Sequence, residues 1–240
     1  MILIEINTTG FPLFAGIIAA VVHVLTGPDH LAAVMPLAVE NHHKSWKIGL
    51  GWGFGHITGM LLIGVLFILF KEVLPVEEIS GHSELLVGFV LIFIGLWAFY
   101  KIFVKDKKHN HPHIHTGEKP YIHIHKHTHD DKGSHEHTHK APGKSGAASA
   151  FAVGTLHGLA GISHFILFLP ALGLSSVYQS VIYLGGFAAG TLIAMTAFAL
   201  ITGKIAERAE LNHNSGLFTG IRLAAGTIAI IIGIYWIFAR

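Results

Sequence analysis

The sequence predicts an all-α membrane protein of six transmembrane helices, arranged as two inverted three-helix repeats with the first helix of each repeat broken. Three observations carry this. Of 240 residues, 52% are hydrophobic and 12% are charged, against about 25% charged in an ordinary soluble domain. The apolar residues fall in six long runs, at 11–39, 47–70, 83–104, 147–172, 179–202 and 217–238, and a span needs about 20 residues. Finally, the chain is written twice. "AVVHVLTGPDHLAAVMPLA" (20–38) aligns with "AVGTLHGLAGISHFILFLPAL" (152–172), so that His23 falls on His157, Gly27 on Gly161, Asp29 on Ser163, His30 on His164 and Pro36 on Pro170, at a constant offset of 134.

The first run is too long for one straight span and contains "TGPD" (26–29). Pro28 lacks a backbone donor and Gly27 loosens the helix, so a break is expected there. "LAGIS" (159–163) marks the equivalent point of the second copy. No basic stretch precedes the first run and no small-residue cleavage site closes it, which argues against a signal peptide. In the second helix, Gly51, Gly55 and Gly59 recur every four residues, and Gly186 and Gly190 repeat one step. Small residues at that spacing let membrane helices approach closely. Leu50-Gly51 aligns with Leu184-Gly185, which sets Gly190 opposite His56. In the third helices, Gly88 and Gly95 align with Gly226 and Gly233 at a slightly larger offset. Three spans per copy, joined by a segment that does not cross, turn the second copy upside down, a transporter architecture with its site at the repeat interface. The organisation is therefore 1–104, first repeat; 105–146, a histidine-rich segment expected to be disordered; and 147–240, second repeat.

Lysine and arginine set the orientation. Two of them, Lys71 and Arg240, fall on one side and 14 on the other, a bias that survives as 2 against 5 without the central segment. The second side is thus expected to be cytoplasmic, with both termini outside. Arg222 is expected to snorkel to the interface.

Several polar residues interrupt the apolar runs. His23 and His30, and likewise His157 and His164, are seven apart and share one helix face. His56 lies in "GWGFGHITGM" (51–60). Asp29 is the one carboxylate deep in an apolar run, where a charge marks a functional site. A structural alternative makes Asp29 an N-cap and the histidines interhelical hydrogen-bond partners. Imidazoles with one carboxylate suit a first-row divalent ion, whereas magnesium and calcium prefer oxygen. Both ligand types bind metal when deprotonated, so proton counter-movement is an expected means of release. The candidate metal ligands are His23, Asp29, His30, His56, His157 and His164, with Thr26, Thr58 and Ser163 behind them. The central segment adds a second group: His109, His111, His113, His115, His123, His125, His127, His129, His135, His137 and His139. Such tracts bind metals without a fold.

Other classes are argued against. "HTGEKPY" (115–121) matches a zinc-finger linker, but the chain has no cysteine to build a finger and no basic face for nucleic acid. Absence of cysteine also excludes thiol electron transfer. No His-Glu-x-x-His motif supports an intramembrane enzyme. The chain is not expected to be an enzyme, and no catalytic cofactor is expected.

"HVLTGPDHLAAVMPLA" (23–38), "GHITG" (55–59) and "HGLAGISHF" (157–165) together resemble the nickel/cobalt transporter superfamily, and most of all its UreH-like urease-accessory branch. The resemblance covers both repeats and extends to the nickel/cobalt efflux proteins with their histidine-rich cytoplasmic loops. Importers of the family carry His-x4-Asp-His, whereas His23, Asp29 and His30 are spaced His-x5-Asp-His. The resemblance implies transport of Ni²⁺ or Co²⁺, with Zn²⁺ a further candidate, across a bacterial inner membrane, efflux being the favoured direction. The alternative is a metal-responsive sensor or chaperone for nickel-enzyme maturation that does not transport. The implied partners are the metal ion, the lipid bilayer and a cytoplasmic nickel chaperone or a urease or hydrogenase maturation factor.

Overall fold

The Gly27-Pro28 step divides the first apolar run. In the computed structural model, which describes residues 2–70, 76–105, 110–115, 121–126, 146–160, 173–212 and 215–238, helix α1 (Ile2–Thr26) stops before Gly27 and helix α2 (Pro28–Glu40) begins after it. Pro28 opens α2, where a missing N–H costs nothing. Gly27 takes an extended conformation, φ −88° and ψ 94°. The joint keeps its hydrogen bonds: Gly27 N–H donates to the His23 carbonyl at 3.0 Å and His30 N–H to the Gly27 carbonyl at 3.1 Å. The two pieces meet at a 75° bend. Asp29 sits in the first turn, and the cap position belongs to Gly27.

A 3₁₀ turn (His42–Lys44) leads into α3 (Ser45–Phe70). Helix α4 (Val76–Tyr100) runs into a π-type turn (Lys101–Lys105). Helix α5 (Gly146–Ala160) follows the histidine-rich segment. Helix α6 (Val177–Leu211) starts at Ser176, whose hydroxyl accepts the Gln179 N–H at 3.3 Å, and α7 (Ser215–Phe238) completes the described chain. Four helices are long and apolar enough to cross a membrane, or five if the bent α1–α2 pair is one span. The fourth expected run, 147–172, is described only to Ala160.

The molecule has an apolar exterior and a partly polar interior. Phe11, Ile18, Val22, Leu61, Val65, Phe93, Ile201 and Ile231 are exposed, whereas Asp29, His30, His56, His157, Thr191 and Arg222 are buried. Water would not tolerate so wide an apolar surface, but lipid does. This is a multi-pass membrane protein.

The most extensive helix pairings are α3 with α5, α1 with α6, and α4 with α7. Glycine sets each of them. Gly51, Gly55 and Gly59 lie against the carbonyls of Ala147, Phe151 and Thr155, and Gly186 and Gly190 against those of Leu13 and Ile17. Gly88 meets Gly233, and Gly95 meets Gly226. A Cβ at any of these positions would run into backbone, except at Gly226, where it would first meet the Phe99 ring. Gly186 and Gly190 thus serve α1 as Gly51 and Gly55 serve α5, at an offset of 135. That register is one residue from the sequence alignment, and it sets buried Thr191, not Gly190, opposite His56.

Two short strands lie inside the 105–146 segment, which was expected to be disordered. Strands β1 (Asn110–His115) and β2 (Tyr121–Lys126) pair antiparallel, with His111 opposite His125 and His113 opposite His123. Histidine alternates with Pro112 and Ile114 in one strand and with Ile122 and Ile124 in the other, which is the two-residue period of a strand, and isoleucine favours the pleat.

Candidate metal centre

The break in the first run brings α2 back across the bundle and carries Asp29 and His30 inward. Asp29 is 6% exposed, His30 1%, His56 0% and His157 2%. His23 arrives from the end of α1, His56 from the middle of α3 and His157 from α5. The imidazoles form one cluster. Ring centroids lie 4.5 Å apart for His23–His30, 5.1 Å for His30–His56, 4.7 Å for His30–His157 and 5.6 Å for His56–His157.

Asp29 joins the cluster across the molecule. One carboxylate oxygen lies 3.0 Å from His30 Nδ1, and the other 3.2 Å from His157 Nε2. The carboxylate accepts from His30 Nδ1, which fixes that ring's tautomer, and its second oxygen lies at ion-pair distance from His157. His30 then presents Nε2 as its base. A carboxylate behind an imidazole is the usual way a metal-binding histidine is oriented. Ligand atoms of His23, His30 and His56 lie within 4.8 Å of one another, as do those of Asp29, His30 and His157. Ligands about 2.0–2.1 Å from one ion are at most ~4.2 Å apart, so small side-chain rotations would close either set on an ion. His30 belongs to both sets. Nitrogen-rich ligation with one carboxylate matches nickel, cobalt or zinc better than magnesium or calcium.

Gly27 makes room for this arrangement, since a Cβ there would overlap the His30 ring and approach the Asp29 carboxylate. Trp52 closes one side: it stacks on His56 at 4.9 Å with 14° between planes and lies 5.3 Å from His157. Sequence reasoning passed over Trp52, although it stands four residues before His56 on the same helix face.

Five of the six proposed intramembrane ligands therefore meet. The sixth, His164, and its neighbour Ser163 lie outside the described residues. Thr26 and Thr58 do not support the cluster as expected. Their hydroxyls donate to carbonyls of their own helices, Val22 at 2.8 Å and Phe54 at 2.8 Å, a bond threonine makes readily inside a helix. Of the histidine-rich segment, His111, His113, His115, His123 and His125 lie on the two paired strands. His109, His127, His129, His135, His137 and His139 lie outside the described residues.

Arg222 is a correction. It does not snorkel: it is 5% exposed, and its Nε donates to Glu40 Oε1 at 2.5 Å. Lys101 Nζ binds the other Glu40 oxygen at 3.0 Å. Glu40 thereby ties α2 to α7 and to the turn after α4.

A family model described as "Cytochrome C biogenesis protein transmembrane region" matches residues 14–235. Among curated proteins, the chain is 32% identical over 195 residues to "Chloroplast protein FOR GROWTH AND FERTILITY 2" of Arabidopsis thaliana, covering 81% of this chain and 47% of that one. It is 30% identical over 195 residues to "Chloroplast protein FOR GROWTH AND FERTILITY 1" of the same plant, covering 81% and 50%. It is 28% identical over 244 residues to "Urease accessory protein UreH" of Bacillus sp. (strain TB-90), covering 98% of this chain and 92% of that one. The chain spans about half the length of the two chloroplast relatives. The resemblance to urease-accessory membrane proteins read from the sequence is borne out by the third relative. No solved structure matches the chain significantly.

Proposed function

The chain belongs to the cytochrome c biogenesis protein transmembrane region family, and within that family we propose that it is a transporter of divalent transition-metal ions, Ni²⁺ or Co²⁺, acting in efflux. The observation that carries the reading is the buried Asp29 bridging His30 and His157, with His23 and His56 against them. A carboxylate and four imidazoles inside an apolar bundle are costly to keep unless they serve a cation. Thiol chemistry is not open to this chain, which has no cysteine.

In this reading the protein is two inverted three-helix repeats. The pairing of α3 with α5 and of α1 with α6 supports it, because a pseudo-two-fold axis exchanges those two pairs and maps the α4–α7 pair onto itself. The ion sits where the halves meet, held by His23, Asp29, His30 and His56 of one and His157 and His164 of the other. Rocking of the halves about this point exposes it to each side in turn. Asp29 holds the two rings in place and balances the charge of the ion. The membrane is a bacterial inner membrane, with both termini outside and the histidine-rich segment in the cytoplasm, where it collects the ion. The relative named as a urease accessory protein supports nickel as the cargo.

The test is ⁶³Ni accumulation in cells expressing the wild type, Asp29→Ala, His23→Ala or a chain lacking 106–145. Wild type should lower accumulation below the empty vector, both point variants should abolish the difference, and the deletion should keep part of it. Raised accumulation lost in the same variants would reverse the direction. No change for nickel, cobalt or zinc would leave the sensor or chaperone alternative.

A further inference from the structure

A second cluster of ligand atoms stands at the far end of α2, outside the buried centre. His42 and His43 lie on the 3₁₀ turn after α2, and Glu207 and Glu210 on the last turns of α6. His42 Nε2 is 3.2 Å from His43 Nε2 and 2.7 Å from Glu210 Oε2, and His43 Nε2 is 3.8 Å from the same oxygen. The remaining ring nitrogens both face oxygens that can only accept. His42 Nδ1 is 3.0 Å from the Val39 carbonyl, and His43 Nδ1 is 3.0 Å from Glu207 Oε1. Each Nδ1 therefore faces an acceptor, and each Nε2 turns toward the other and toward Glu210. Three ligand atoms converge on one point, where a shared divalent ion would satisfy all of them at once.

We propose that His42, His43 and Glu210 form a second binding site for a divalent transition-metal ion, with Glu207 as the residue that positions His43. The three ligand atoms lie within 4.8 Å of one another, and the Val39 carbonyl and Glu207 supply the oxygen behind each imidazole that orients metal-binding histidines. The site is open to solvent: the His43 side chain is 64% exposed and that of Glu210 48%. It is therefore suited to exchange, unlike the buried centre about 15–20 Å away along α2. The histidine-rich segment leaves and rejoins the helical body beside it. Lys101 binds Glu40, and Gly146 backs onto the Asn41 side chain. The binding itself does not depend on the transport reading.

The test is equilibrium dialysis of the full chain in detergent against ⁶³Ni²⁺, with the wild type, His42→Ala/His43→Ala, Glu207→Gln and Asp29→Asn. The double variant should bind one ion per chain fewer than the wild type. Glu207→Gln should keep that ion but hold it about tenfold more weakly, the usual cost of losing an orienting carboxylate. Asp29→Asn should leave it in place, so a failure at the buried centre is read separately. Unchanged stoichiometry in the double variant would overturn the proposal and leave an imidazolium–carboxylate pair. A second readout needs no variant. Anomalous scattering from nickel-soaked crystals of the wild type should place a peak between the two Nε2 atoms, and its absence at saturating nickel would also overturn the proposal.

Discussion

Asp29 and Glu40 are the two carboxylates of α2, the first buried and the second half-buried, and they do different work. Asp29 orders imidazoles, while Glu40 neutralises Arg222 and Lys101. Removing one partner of a buried pair costs about 3–5 kcal/mol, because the other charge is left without its counter-ion. Glu40→Gln should therefore lower the midpoint of thermal unfolding in detergent markedly, while Asp29→Asn should leave folding closer to the wild type and remove ion binding at the buried centre. Tryptophan fluorescence during a thermal ramp checks both. The Asp29 cluster was legible in the sequence because polar residues in apolar runs are rare and costly, so each of them announces itself. The Glu40–Arg222 pair was not, since its members lie 182 residues apart near the ends of apolar runs, where a charge passes for a flank. His42 and Glu210 were hidden for the same reason.

At the scale of elements, glycine decides how closely the helices pack. Gly55 lies against the Phe151 carbonyl and Gly158 against the His56 carbonyl, so α3 and α5 touch backbone to backbone beside the histidines. Neither neighbour is a flexible side chain that could move aside. Gly55→Leu should cost at least the 1–3 kcal/mol typical of overpacking, whereas Gly185→Ala, where a Cβ would meet nothing, should be neutral. Size-exclusion profiles of the detergent-solubilised variants check this, with a monodisperse peak kept for Gly185→Ala and reduced or lost for Gly55→Leu. The broken helix was legible, since Gly27-Pro28 dictates it locally. The register of the second helices was not, because alignment of apolar sequence tolerates a one-residue slip that helix contacts do not. The ribbon at 110–126 was passed over because composition, not periodicity, dominated the reading of that segment.

At the scale of the whole molecule, the sequence called for two halves, and the helix pairings are those that two halves related by a two-fold axis would make. The buried histidine–aspartate cluster draws His23, Asp29, His30 and His56 from the N-terminal half of the chain and His157 from the C-terminal half. Neither half alone would hold it. The second half's own break and His164 lie outside the described residues, and their place rests on the repeat. The most direct measurement is Ni²⁺ flux into liposomes containing only the purified chain, followed with a metal-sensitive dye inside, for the wild type, Asp29→Asn and the chain lacking 106–145. A saturable flux in the wild type that is lost in Asp29→Asn and kept in part by the deletion is the expected result. Flux no greater than in empty liposomes, from protein that still binds nickel, would contradict transport and make this a membrane protein that holds metal without moving it.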